Sequence, residues 1–69
     1  MSSEPTLEEL NESINALQSY KERLKQELTT ISQKLRMPQH KIDLALSEHI
    51  ELQKVDKTLN KLINQRNQN

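Results

Sequence analysis

Leu7 to Leu35 reads LEELNESINALQSYKERLKQELTTISQKL. Its apolar residues fall at Leu7, Leu10, Ile14, Leu17, Leu24, Leu28, Ile31 and Leu35, in steps of three and four with one gap that Lys21 fills. This is a heptad pattern. Leu7, Ile14, Lys21, Leu28 and Leu35 occupy its a positions, and Leu10, Leu17, Leu24 and Ile31 its d positions. The start is marked as well: Thr6 and Glu9 stand three apart as a capping box, behind Pro5. Acidic Glu8 and Glu9 at one end, and Lys34 and Arg36 at the other, complement the helix dipole. Pro38 disfavours α geometry at Met37 and marks a break. The pattern therefore predicts a helix over about residues 6–36, roughly 45 Å long at about 1.5 Å per residue.

Beyond the break the periodicity is less regular. Leu52, Val55, Leu59 and Leu62 continue in heptad steps, with Ile63 widening the stripe. Ile42, Ala45 and Leu46 form a separate local face, and Leu44 and Ile50 fit neither. A phase shift between Leu46 and Leu52 describes this, with Pro38 suited to the first helical position and Ser47 to a new cap. The second arm, 38–65, is read as broken near Ser47, at about Ser47–Glu51, into helices over 38–46 and 48–65, with one continuous helix as the alternative. Residues 1–5 are expected to be flexible and the tail from Asn64 to Asn69 to fray, since neither has apolar side chains to bury.

Composition agrees with an all-α fold. The chain has 69 residues, no Gly, no Cys, and Tyr20 as its one aromatic. Tight turns and sheets usually need residues that tolerate positive φ, so the absence of glycine argues against a β-rich fold. Without cysteine there is no disulfide, thiolate nucleophile or cysteine-ligated zinc. Chains below about 70–80 residues seldom stand on their core alone. Oligomerisation or a protein partner is the remaining route to stability, and one small helical domain over 1–69 is expected.

The ten basic and ten acidic side chains cancel, but not locally. Residues 1–20 carry Glu4, Glu8, Glu9 and Glu12 for a net −4, while 21–41 set six basic side chains against Glu22 and Glu27 for +4. Residues 42–69 balance four against four. An antiparallel hairpin brings the acidic start near Lys57, Lys61 and Arg66, and the basic end near Asp43, Glu48 and Glu51. A parallel dimer of the first helix offers only Ser13–Gln18, Tyr20–Lys25 and Glu27–Ser32 as g-to-e′ pairs, none of them ionic. The antiparallel arrangement is favoured, completed as a coiled-coil or four-helix-type homo-oligomer. Such a hairpin dimer resembles, in architecture, the ROP family of plasmid copy-number proteins, and that resemblance implies no functional residue of this chain.

Chemical sites find little support. His40 and His49 lie nine residues apart, off the spacing of two ligands on one helical face, and His40 with Asp43 is at best a two-ligand edge. No metal or other cofactor is expected. Glu8 and Glu9 are explained by the helix dipole, and no Gly-rich loop exists to cradle phosphate, so no enzymatic activity is expected. Lys21, Arg23, Lys25, Lys34, Arg36 and Lys41 form the basic concentration, a solvated face by default and a phosphate-contacting face by alternative. Lys41 to Val55 places Ala45, Ile50 and Val55 as a helix-turn-helix would, but departs from that motif at Glu48 and at His49 in the turn. Lys21 at a core position either specifies register or snorkels at the seam edge. Membrane binding is disfavoured, because the polar face is not consistently basic and lacks Trp or Phe anchors. The longest uninterrupted apolar run is Leu44-Ala45-Leu46, and Met1 to Pro5 has no leader-like pattern, so a cytoplasmic location is expected.

The resulting expectation is a self-associating protein–protein interaction or regulatory module. Its interface is expected to be built from Leu7, Leu10, Ile14, Leu17, Lys21, Leu24, Leu28, Ile31, Leu35, Leu52, Val55, Leu59 and Leu62. The alternatives are a small dimeric nucleic-acid-binding regulator using residues 21–41 or the segment 41–60, and a helical partner that orders only within a larger complex.

Overall fold

The computed structural model describes residues 5–68. The fold is all-helical: α1 spans Leu7–Lys34, α2 Gln39–Glu48 and α3 Ile50–Asn67. The expected flexibility of residues 1–5 falls mostly outside the described residues.

The capping box at the start of α1 is formed in full. Thr6 Oγ1 accepts from the Glu9 N–H at 3.1 Å, and Glu9 Oε1 accepts from the Thr6 N–H at 3.2 Å. Two backbone donors that the first turn leaves without helical partners are thereby satisfied. α1 stops two residues earlier than its charge pattern suggested. Leu35 is the cap and Arg36 takes φ 59°, a left-handed conformation that glycine usually supplies. The Arg36 N–H donates to the Gln33 carbonyl at 2.9 Å and the Met37 N–H to the Ser32 carbonyl at 3.0 Å. Together these two bonds make a Schellman motif. In a chain without glycine, an arginine closes the helix.

Pro38 caps α2 from outside rather than occupying its first turn: its carbonyl accepts from Lys41 and Ile42 at 3.0 and 3.1 Å. The break in the second arm lies at His49, inside the expected stretch Ser47–Glu51, although Ser47 is not its cap. Ser47 Oγ instead donates to the Leu44 carbonyl at 2.8 Å, inside the last turn of α2. His49 adopts extended φ −69°, ψ 118° and serves both helices. Its N–H donates to the Leu46 carbonyl, its carbonyl accepts from the Gln53 N–H, and its Nδ1 accepts from the Leu52 N–H at 3.4 Å. Gln53 Nε2 donates back to the Ser47 carbonyl at 3.0 Å, closing a backbone acceptor at the end of α2.

α1 packs antiparallel against α3, and α2 touches both. Among the described residues the buried side chains are Leu10, Ile14, Ile42, Leu52, Val55 and Leu59, the first three of them fully buried. Ile14, Val55 and Leu59 form the central cluster, flanked by the half-buried Leu17, Leu62 and Ile63. The molecule is a rod of 53 × 16 × 16 Å. Its radius of gyration, 15.4 Å, exceeds the about 11 Å of a compact chain this long.

Three polar contacts tie the two arms together. Lys21 Nζ pairs with Asp56 Oδ1, Tyr20 Oη donates to Glu51 Oε1 at 3.5 Å, and Arg66 Nη1 donates to Asn11 Oδ1 at 3.2 Å. With the last of these, α3 runs on to Asn67 and Arg66 sits half-buried beside α1. The expected ion pairs between Glu8, Glu9 or Glu12 and Lys57, Lys61 or Arg66 are not formed. Among the described residues Lys21–Asp56 is the pair within bonding distance. Long exposed side chains lose more rotamer freedom than a solvated ion pair returns, and the ends stay hydrated.

Candidate interaction surface

The heptad stripe of α1 divides into two environments. In the half nearest the N-terminus, Leu10, Ile14 and Leu17 turn into the hairpin, and α3 covers them with Val55, Leu59, Leu62 and Ile63. All of these but Ile63, together with Leu52, were expected in the interface. The structure spends them inside one chain. Leu7, just outside the first turn of this core, stays half in solvent.

In the half nearest the turn the stripe is only partly covered. Leu24 and Leu28 are half-buried, while Ile31 and Leu35 are 56% and 70% exposed. On the other arm Leu44 and Ile50 are also exposed. The half-buried residues of this part of α1 include Lys25, Thr29 and Ser32, all polar. At 3.6 residues per turn they lie roughly a quarter turn round from Leu24, Leu28, Ile31 and Leu35. The second arm therefore covers Leu24 and Leu28 in part, together with the polar flank of α1, and leaves Ile31 and Leu35 facing water. The periodicity showed the stripe but not which neighbour covers which part of it.

Lys21 separates the two halves. Its side chain is 28% exposed and its charge is answered by Asp56 of α3. This places it in the hairpin seam and takes it out of the basic concentration of residues 21–41. Asp56 was not singled out in the sequence, although it lies in heptad phase with Leu52 and Leu59, a turn from each. His40 is exposed, and the neighbouring Asp43 carboxylate already accepts from Gln39 Nε2 at 3.0 Å. Among the described residues no group of three or more His, Cys, Asp or Glu is placed to hold a metal ion. A helix-turn-helix joins its helices by a turn of about 3–4 residues. Here His49 alone separates α2 from α3, so residues 41–60 do not adopt that motif. No helix among the described residues is long and apolar enough to cross a membrane.

A family model described as a domain of unknown function, DUF8630, matches residues 8–69. The chain belongs to this family. The DUF8630 match takes in all of α2 and α3 and nearly all of α1, so the hairpin described above is the family's unit in this chain. No curated protein and no solved structure matches the chain.

Proposed function

We propose that this chain is a non-catalytic protein–protein interaction or regulatory module of the cytoplasm, one that associates with itself through an amphipathic helical face. The observation that carries this reading is the apolar stripe of α1 running out of its own core, with Ile31 and Leu35 left in solvent. Monomeric proteins seldom leave a continuous apolar helix face in water. A core of six buried side chains among the described residues is thin support for a rod of this length, and another chain on the open face supplies the missing burial. Among the described residues no polar or charged side chain is buried, which fits a surface that works by packing.

The test is the solution mass of the full chain, by light scattering over a wide concentration range, with circular dichroism on the same samples. A mass that rises above 8.1 kDa with concentration supports the reading. A chain that stays helical at 8.1 kDa throughout sinks it.

A further inference from the structure

We propose that the open face of α1 is closed by the same face of a second copy, antiparallel and about a two-fold axis beside Thr29 and Thr30. This inference rests on the self-associating reading above and commits it to one surface and one register. The face is Leu24, Leu28, Ile31 and Leu35, in the heptad order d, a, d, a.

The register follows from the residues themselves. Antiparallel heptad helices set a positions against d positions of the neighbour. Laying Leu24 against Leu35 of the second copy places Leu28 against Ile31, and symmetry repeats both layers in reverse. The four side chains left half or wholly open in one chain thus become the inner layers of the pair. No other antiparallel register of this segment aligns all four.

Charge selects the same alignment. The g positions flanking these layers are Glu27 and Lys34. In the register just described Glu27 of one copy lies beside Lys34 of the other, and the axis makes a second, identical pair. A parallel alignment instead sets Glu27 against Ser32 and returns no ion pair. The face is therefore complementary to itself only in the antiparallel sense, which is why a second copy is the occupant.

A rod exposes more surface than a globular monomer of its mass, and on this face Ile31 and Leu35 are the side chains left free to pack against a second copy. At this end α1 is flanked by α2, which leaves Ile31 and Leu35 open for a second helix.

Sedimentation of the full chain and its charge-swap variants at low salt tests the proposal. Glu27→Lys sets like charges together twice and is expected to weaken dimerisation about tenfold. The double variant Glu27→Lys with Lys34→Glu restores both pairs and is expected to return to the parent affinity within about threefold, with salt erasing the difference. Circular dichroism confirms that each variant remains helical. A dimer indifferent to Glu27→Lys, a double variant no tighter than the single one, or an assembly larger than two copies overturns this face and register while leaving self-association standing. A chain that is monomeric throughout overturns both.

Discussion

Lys21 Nζ lies 2.5 Å from Asp56 Oδ1, across the seam between α1 and α3. A lysine interrupts the heptad at its middle a position, and the residue facing it is the carboxylate that answers the charge. The pair is partly exposed, at 28% and 50% of the two side chains, so its net contribution to stability is small. The pair forms in one alignment of the two arms. Any sliding of α3 along α1 leaves the ammonium against Leu52 or Leu59, and a lysine without a partner at a seam costs more than the pair returns.

Replacing Lys21 by leucine is accordingly expected to stabilise the hairpin, by about 1 kcal/mol from added apolar burial at a half-buried site. The alanine double-mutant cycle of Lys21 and Asp56 should give a coupling of about 1 kcal/mol or less. Thermal unfolding followed at the helical band reads both. A Lys21→Leu variant that melts below the parent would show that the pair holds the fold rather than its alignment.

The inner and outer parts of the stripe should respond differently to truncation. Leu59 is 5% exposed in the central cluster, and Leu59→Ala is expected to cost about 2–4 kcal/mol. In so small a core that is enough to remove most of the helical signal at any concentration. Ile31→Ser touches a residue that the hairpin leaves open, and serine and isoleucine differ little in helix propensity. Its helical signal should persist while the solution mass falls. The assignment of the two environments fails if Ile31→Ser unfolds the chain and Leu59→Ala does not.

Heptad, capping box and proline stop were all legible because each depends on residues within a turn or two of one another. The expected boundaries moved where the deciding interaction was of another kind. α1 ends at Lys34 rather than Arg36 because Arg36 accepts a left-handed backbone, which its residue type does not announce. At the end of α3, Arg66 meets Asn11 on the opposite arm, 55 residues away in the chain, a contact no local pattern announces. The division of the stripe was hidden for the same reason. Which leucines face α3 depends on how the second arm leans across Lys25, Thr29 and Ser32, and that is a property of packing.

Arg36 offers a test of the turn. A non-glycine residue at φ 59° carries a steric cost of about 1–2 kcal/mol. Glycine removes that cost, and its greater freedom in the unfolded chain takes back about 0.5–1 kcal/mol. Arg36→Gly should therefore raise the thermal midpoint by the equivalent of about 0.5–1 kcal/mol. Arg36→Val, branched at Cβ, should lower it. If glycine lowers the midpoint as well, the Arg36 side chain is holding the turn and steric strain is not what limits it.

His49 decides whether the second arm is one helix or two. As an acceptor from the Leu52 N–H, its Nδ1 replaces the short side-chain oxygen that usually caps a helix, and at 3.4 Å the bond is long. Aspartate places a charged oxygen at the same point and adds favourable interaction with the α3 dipole. His49→Asp should gain about 1 kcal/mol, with slower amide exchange at Leu52. Alanine has no cap to offer and the highest helix propensity of any residue, so His49→Ala removes the reason for the break. Its expected outcome is protection of the Ile50 and Glu51 amides, as α2 runs on into α3 and their free N–H groups gain helical partners. Amide exchange separates the two cases. Unprotected Ile50 and Glu51 amides in His49→Ala would mean that packing of Ile42 and Leu52, and not the cap, sets the bend.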